Sequence, residues 1–324
     1  MTLASLFLII IFMSIISAAA WLMLLLAQSF GRIKLPHGLY VGFMAFSVVP
    51  VKFPTVKLVD TDPTHGFVTG FETAAKVWLI GMAVLILAMS AKAVILKLSV
   101  RRFKRCEDRQ ILRLVEECSK QVYRKVVPSV LYGTLTEPAC VISCFRPVIV
   151  LSKAAAGQLS EEELRLVLLH ELTHIKRLHL PLQRAFDFLC CIHWFNPLLW
   201  IARRKFTLSC ELDCDCRMIQ TLSSVDETAY AKMLLHLVEL SFSKPKALLN
   251  SAGVLAFMNM QQRLKAILAP ASTFRRIAAA ASGILILCCA VWLSLALSIS
   301  TFPPYAHPSG NNQFEWSEQS NASH

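Results

Sequence analysis

His170-Glu171-Leu172-Thr173-His174 places two imidazoles and a carboxylate in an H-E-x-x-H arrangement. Histidines four residues apart lie one above the other on a single helix face, so both rings can reach one Zn²⁺. Glu171, about a third of a turn from His170, can address a water on that ion as general base. The chemistry this predicts is zinc-assisted hydrolysis. A catalytic zinc needs one more protein donor, and a carboxylate on a second helix commonly supplies it. Cys210-Glu211-Leu212-Asp213-Cys214-Asp215 lies in a helical context, with Glu211 and Asp215 four apart on one face. Glu211 is the candidate third ligand.

Five residues can match by chance, so the elements that position them carry weight. Ser160 followed by Glu163 reads as a capping box, and Leu164, Val167, Leu168 and Leu172 recur at helical intervals. The motif therefore falls mid-helix with an apolar back. Upstream, Ile111, Leu112, Val115, Cys118 and Val122 mark an amphipathic helix. Val126 to Leu131 and Val148 to Leu151 are short β-branched runs that suggest strands. Downstream, Phe186 to Ile201 is strongly apolar yet too short to cross a bilayer. It reads as a buried or interface-lying helix pair, with Trp194 and Trp200 at headgroup depth.

The whole chain of 324 residues is 55% hydrophobic and only 17% charged, with a mean hydropathy of +0.54. An ordinary soluble domain is nearer one quarter charged, so lipid should solvate part of this one. Four apolar segments qualify as membrane spans, at about residues 3–26, 37–56, 77–98 and 276–300. The first starts without a basic region and runs on past its small residues, which favours an uncleaved anchor over a signal peptide. Arg101, Arg102, Lys104 and Arg105 follow the third span, and Arg275 and Arg276 precede the fourth. By the positive-inside rule residues 100–275 form a cytoplasmic domain and both termini lie outside, the last 301–324 as a short external tail.

The net charge of +12 accordingly reads as topology plus attraction to anionic headgroups, with no nucleic-acid role. Most of the 11 cysteines fall in the cytoplasmic part, where thiols stay reduced. Cys210, Cys214 and Cys216 lack the paired spacing of a structural zinc site.

The runs His170 to Arg177, His193-Trp194-Phe195-Asn196-Pro197-Leu198-Leu199-Trp200 and Glu211 to Asp215 resemble the successive motifs of the BlaR/MecR family of membrane metallopeptidases. The likeness extends to Gln261-Gln262-Arg263-Leu264. It implies a membrane α-helical protein of four transmembrane helices with an inserted α+β, zincin-like, gluzincin-type cytoplasmic protease domain. His170, His174 and Glu211 would be zinc ligands, Glu171 the catalytic base, and Asp215 a carboxylate that orients a ligand histidine. Three departures stand out: His179 where the family commonly has Asp, Ser209 where Asp often stands, and Asp213 where a small residue is usual. Asp213 is expected to crowd or repel Glu211. The family's β-lactam-sensing members carry a penicillin-binding domain after the last span, and residues 301–324 are too few for one.

The function expected is zinc-dependent endoproteolysis in the bacterial cytoplasmic membrane, by resemblance the regulated cleavage of a transcriptional repressor or similar target. A separate protein would supply sensing. A quality-control protease and a non-proteolytic zinc scaffold are the alternatives. His193 and Tyr230 are candidate oxyanion donors, and the strand through Ile149 a candidate edge on which an extended substrate would pair.

Overall fold

The computed structural model describes residues 3–31, 36–48, 65–122, 127–133, 138–144, 146–221, 227–242 and 251–268. It also describes residues 281, 283, 284, 286 and 288. Helices α1 (Leu3–Gly31), α2 (His37–Val48) and α3 (His65–Arg101) come first, then β1 (Lys104–Arg105) and α4 (Arg109–Val122). Strands β2 (Ser129–Gly133), β3 (Ala139–Ile142) and β4 (Val148–Ser152) lead through α5 (Lys153–Ala156) to α6 (Glu161–Lys176). The chain continues through α7 (His179–Ile192), α8 (Pro197–Thr221), α9 (Glu227–Phe242) and α10 (Ser251–Leu268). The described part is mostly helical with one small mixed sheet.

Among the described residues two helices are long and apolar enough to cross a membrane, over Leu6–Leu26 of α1 and Glu72–Arg101 of α3. On α3 the large side chains Ile80, Val84, Leu87 and Ile95 are all more than half exposed. The predicted second span is shorter as described. The twelve residues of α2 reach only about 18 Å, and residues 49–56 lie outside the described residues. Most of the predicted fourth span lies outside them too, although Gly283 abuts Leu39 of α2 and Ile286 packs against the apolar cluster that joins α1, α2, α7 and α8.

Two apolar clusters organise these elements. One joins α1, α2, α7 and the first half of α8 through Trp21, Tyr40, Phe43, Phe186 and Phe206. The other joins α4, the sheet, α6, α9 and α10, with Leu168, Leu172, Ile149 and Tyr230 among its buried members. Helix α8 belongs to both, contributing Leu199 to Cys210 to the first and Met218 to the second. Glu211 to Asp215 therefore fall where the clusters meet.

The sheet runs β1-β2-β4-β3. Strand β4 pairs in parallel with β2 (Val130 opposite Ile149) and antiparallel with β3 (Val141 opposite Ile149). This corrects the expectation at Ile149. Both sides of β4 are already hydrogen-bonded and Ile149 is fully buried, so no substrate strand can add there. The sheet edge beside α6 is β3. The apolar run Val148 to Leu151 was legible as a strand, but its lack of alternation is the mark of a central strand, not an edge.

Candidate metal centre

Helix α6 begins as its sequence dictates. Ser160 Oγ accepts from the Glu163 amide at 3.2 Å, and the Glu163 carboxylate accepts from the Ser160 amide at 2.8 Å. This reciprocal cap fixes the helix start. Leu164, Val167, Leu168 and Leu172 then face the core, which turns His170 and His174 toward α8. At the far end Leu178 adopts φ 54°, a left-handed conformation that strains a residue with a Cβ. That kink starts α7 at once and returns His179 beside His174.

The Nε2 atoms of His170 and His174 lie 3.1 Å apart. Glu211 Oε2 is 3.4 Å from His170 Nε2, and Glu211 Oε1 is 3.5 Å from His174 Nε2. Ligand atoms around a tetrahedral zinc with bonds of about 2.0–2.1 Å stand roughly 3.3–3.4 Å apart. The three side chains predicted as ligands thus converge at a spacing that fits the ion. Glu171 is half-buried next to them and has no hydrogen-bond or ion-pair partner among the described residues.

The other ring nitrogens are taken. Tyr230 Oη lies 2.9 Å from His170 Nδ1 and donates to Asp215 Oδ1 at 2.8 Å. Asp215 also accepts from Arg263, at 2.8 Å from Nε and 2.7 Å from Nη2. Arg263 reaches Glu211 Oε2 as well, through Nη1 at 3.1 Å. Asp215 therefore addresses His170 mainly through Tyr230, and one arginine of α10 neutralises two carboxylates of α8. With both Nδ1 atoms engaged, both Nε2 atoms remain for an ion.

Electrostatics follow from this arrangement. Burial pushes Glu211 toward its neutral form, but His174 and Arg263 override it and hold the carboxyl well below its ordinary range. Burial likewise pulls His174 down, and Glu211 beside it wins, raising the imidazole well above its usual value. A metal ion entering here must displace that proton. Burial, with Asp215 next to it, keeps Tyr230 a phenol.

Cys214 Sγ stands within 4.8 Å of a ligand nitrogen of each histidine and 3.5 Å from His179 Nδ1. Burial raises its thiol to about 11, which opposes thiolate ligation. A second buried group, His37, His179 and Cys210, has its donor atoms within 4.8 Å of one another. Its Cys210 is pushed up to about 12 by burial, and its His179 is already engaged with His174. These residues pack α2 against α7 and α8.

Asp213 does not face Glu211 uncompensated. It takes Arg177 Nε at 3.0 Å and Arg217 Nε at 3.2 Å, and His179 Nε2 lies 3.5 Å away. His193 corrects another expectation. It is buried at the far end of α7 from His179, with Nδ1 on Ser14 Oγ of α1, about 20 Å along the helix from the candidate centre. It cannot serve as oxyanion donor. Tyr230 is at the centre, but behind His170. Arg263 was missed as a participant, although an arginine inside the apolar helix Val254 to Leu268 was its available signal.

The profile of a family described as BlaR1 peptidase M56 matches residues 60–267. The chain is 25% identical over 190 residues to the regulatory protein BlaR1 of Bacillus licheniformis, covering 58% of this chain and 31% of that one. It is 27% identical over 150 residues to the methicillin resistance mecR1 protein of Staphylococcus aureus, covering 45% of this chain and 25% of the relative. The aligned region thus spans 31% or less of these relatives' lengths. The profile match takes in more than half of the chain and every residue of the convergent site: this chain belongs to the BlaR1 peptidase M56 family of metallopeptidases.

Proposed function

We propose that this chain is an integral-membrane, zinc-dependent endopeptidase whose site faces the cytoplasm and cuts a cytosolic or membrane-proximal protein in a signalling pathway. The observation that carries the reading is the convergence of His170 Nε2, His174 Nε2 and the Glu211 carboxylate at 3.1–3.5 Å. His170, His174 and Glu211 would hold the ion. Bound there, it would supply Lewis-acid activation of a water and of the scissile carbonyl.

The chain's own residues do the rest. Glu171, unencumbered beside the pair, takes a proton from the attacking water and returns it to the leaving amine. Tyr230 accepts from His170 Nδ1 and passes the tie to Asp215, fixing the ring so that Nε2 faces inward. Arg263 helps hold the Glu211 carboxyl ionised and grips Asp215 through two nitrogens. Strand β3, at one end of the sheet and packed against α6, would flank an extended substrate entering beside that helix.

The exposed apolar face of α3 and the run of α1 support two membrane crossings, and the apolar sequence at 37–56 and 276–300 is long enough to supply two more. Arg101, Arg102, Lys104 and Arg105 at the end of α3 put the peptidase inside, both termini outside, in a bacterial cytoplasmic membrane. Relatives named for regulation and for methicillin resistance favour a regulatory substrate, such as a transcriptional repressor.

The test is Glu171→Gln in the full chain. Stoichiometric zinc with cleavage abolished, and substrate retained on the inactive protein, is the expected result. Unchanged cleavage, or the absence of zinc from active protein, refutes the proposal.

A further inference from the structure

We propose that the tip of the α7–α8 hairpin is a membrane-embedded, re-entrant element whose outer face contacts lipid acyl chains. The inference rests on α1 and α3 crossing the bilayer, as read above.

Its first support is where the tip is anchored. Ser14 lies within the Leu6–Leu26 span, about 12 Å from one end and about 18 Å from the other at 1.5 Å per residue. Ser14 Oγ meets His193 Nδ1, and the Ser14 carbonyl accepts from Asn196 Nδ2 at 3.1 Å. On the other side Trp78 Nε1 of α3 donates to the Ile192 carbonyl at 2.8 Å, and Trp194 Nε1 donates to the Trp78 carbonyl at 3.3 Å. The Trp194 ring also lies so close to α3 that a Cβ at Gly81 would come within 2.7 Å of it. A tip bound to the middle of one span and to the body of another shares their depth.

The second support is that the tip meets the conditions hydrocarbon imposes. From Phe188 to Ala202 the chain contains no Asp, Glu, Lys or Arg. Irregular backbone survives at membrane depth only where its polar groups find protein partners. At this turn the His193 amide donates to the Leu189 carbonyl at 3.1 Å, the Asn196 amide to the His193 carbonyl at 2.8 Å, and the Trp194 carbonyl accepts from Trp200 Nε1 at 3.2 Å. The nearest charges are paired, Asp187 Oδ1 across the hairpin 2.6 Å from Arg203 Nε and Asp187 Oδ2 along α7 3.4 Å from Arg184 Nη1, as intramembrane charges must be.

The third support is what stays exposed. Phe188, Phe195, Trp200 and Ile201 are 37–54% exposed, on a tip whose polar groups are turned inward. In water these would form an unexplained apolar patch, whereas lipid beside α1 and α3 covers them. Helix α8 then runs alongside α1, Asn196 at Ser14 and Phe206 in one cluster with Trp21 and Leu24. Glu211 emerges close to the inner boundary, which places the candidate metal centre at the membrane surface.

The test uses the full chain in nanodiscs of phosphatidylcholine and phosphatidylglycerol. A genetically encoded fluorescent amino acid replaces Phe188, Phe195 or Trp200 in turn. Leu87 on α3 reports the span itself and Leu112 on α4 reports the aqueous domain, both being exposed. Acyl chains brominated near their ends are compared with chains brominated near the headgroup. We expect the deep bromines to quench the probe at Phe195 as strongly as at Leu87, with Leu112 unaffected. Quenching at Leu87 but not at Phe188, Phe195 or Trp200, or their quenching by shallow bromines alone, overturns the re-entrant hairpin and leaves the spans standing. An unquenched Leu87 overturns the membrane reading and this inference with it.

Discussion

His179 Nδ1 lies 3.0 Å from His174 Nδ1, in the position where a carboxylate is common in the family the chain resembles. When His174 presents Nε2 to an ion, its Nδ1–H must donate, so His179 accepts at Nδ1 and carries its own proton on Nε2. That proton faces Asp213. The two departures noted in the sequence are thus one device, with the carboxylate set one imidazole further out. His179→Ala should lower zinc affinity by about 10- to 100-fold, the usual cost of losing a partner that orients a ligand. His179→Asp should retain most of it. Competition with a chelator reads both.

Partial burial pushes the Asp213 carboxyl up, but His179, Arg217 and Arg177 outweigh it and hold the group well below its ordinary range. A depressed carboxylate contributes stability that is complete above its unfolded value, about 3.9, and fades as pH falls toward the native one. The unfolding midpoint of the parent should therefore exceed that of Asp213→Asn at neutral pH. The gap should shrink below about pH 4. A gap independent of pH would show that the charge is not what matters.

Arg263 is mostly buried and serves Asp215 and Glu211 together. Arg263→Ala leaves two carboxylates facing each other without a cation, a change that costs about 3–5 kcal/mol when a buried pair is broken. Denaturant unfolding should show that loss. Arg263→Lys keeps the charge but not the fork on Asp215, and should fall between the two.

Tyr230→Phe removes one oxygen from the path His170–Tyr230–Asp215. The ring packing survives, so stability should fall by only about 1–3 kcal/mol, the range for a buried partner left unsatisfied. Zinc affinity should fall by about tenfold or more because His170 is no longer held. An unchanged affinity would show that His170 needs no such tie.

Leu178, exposed and at φ 54°, adopts a conformation that costs a side-chain-bearing residue about 1–2 kcal/mol. Leu178→Gly should therefore match or exceed the parent's unfolding midpoint, since relief of strain offsets glycine's entropy. A clear drop would mean that the Leu178 side chain contributes packing.

The sequence by itself determined the local parts: the capped helix with both histidines on one face, the carboxylate helix of Glu211 and Asp215, and the apolar runs of α1 and α3. These follow from residue type at fixed spacing, because helix geometry is nearly independent of its surroundings. Strands Val148–Ser152 and Ser129–Gly133 were partly legible for the same reason. What only the tertiary structure decided depends on which distant residues meet. That Ile149 lies in a central strand follows from β2 and β3 flanking it, which no local pattern encodes. His193 sits against α1 and not at the metal centre because Ser14, midway along that helix, offers it the partner a buried imidazole requires. Arg263 and Tyr230 enter the site from α10 and α9 because burying Asp215 demands a cation and a donor, and chain closure alone selects which ones arrive.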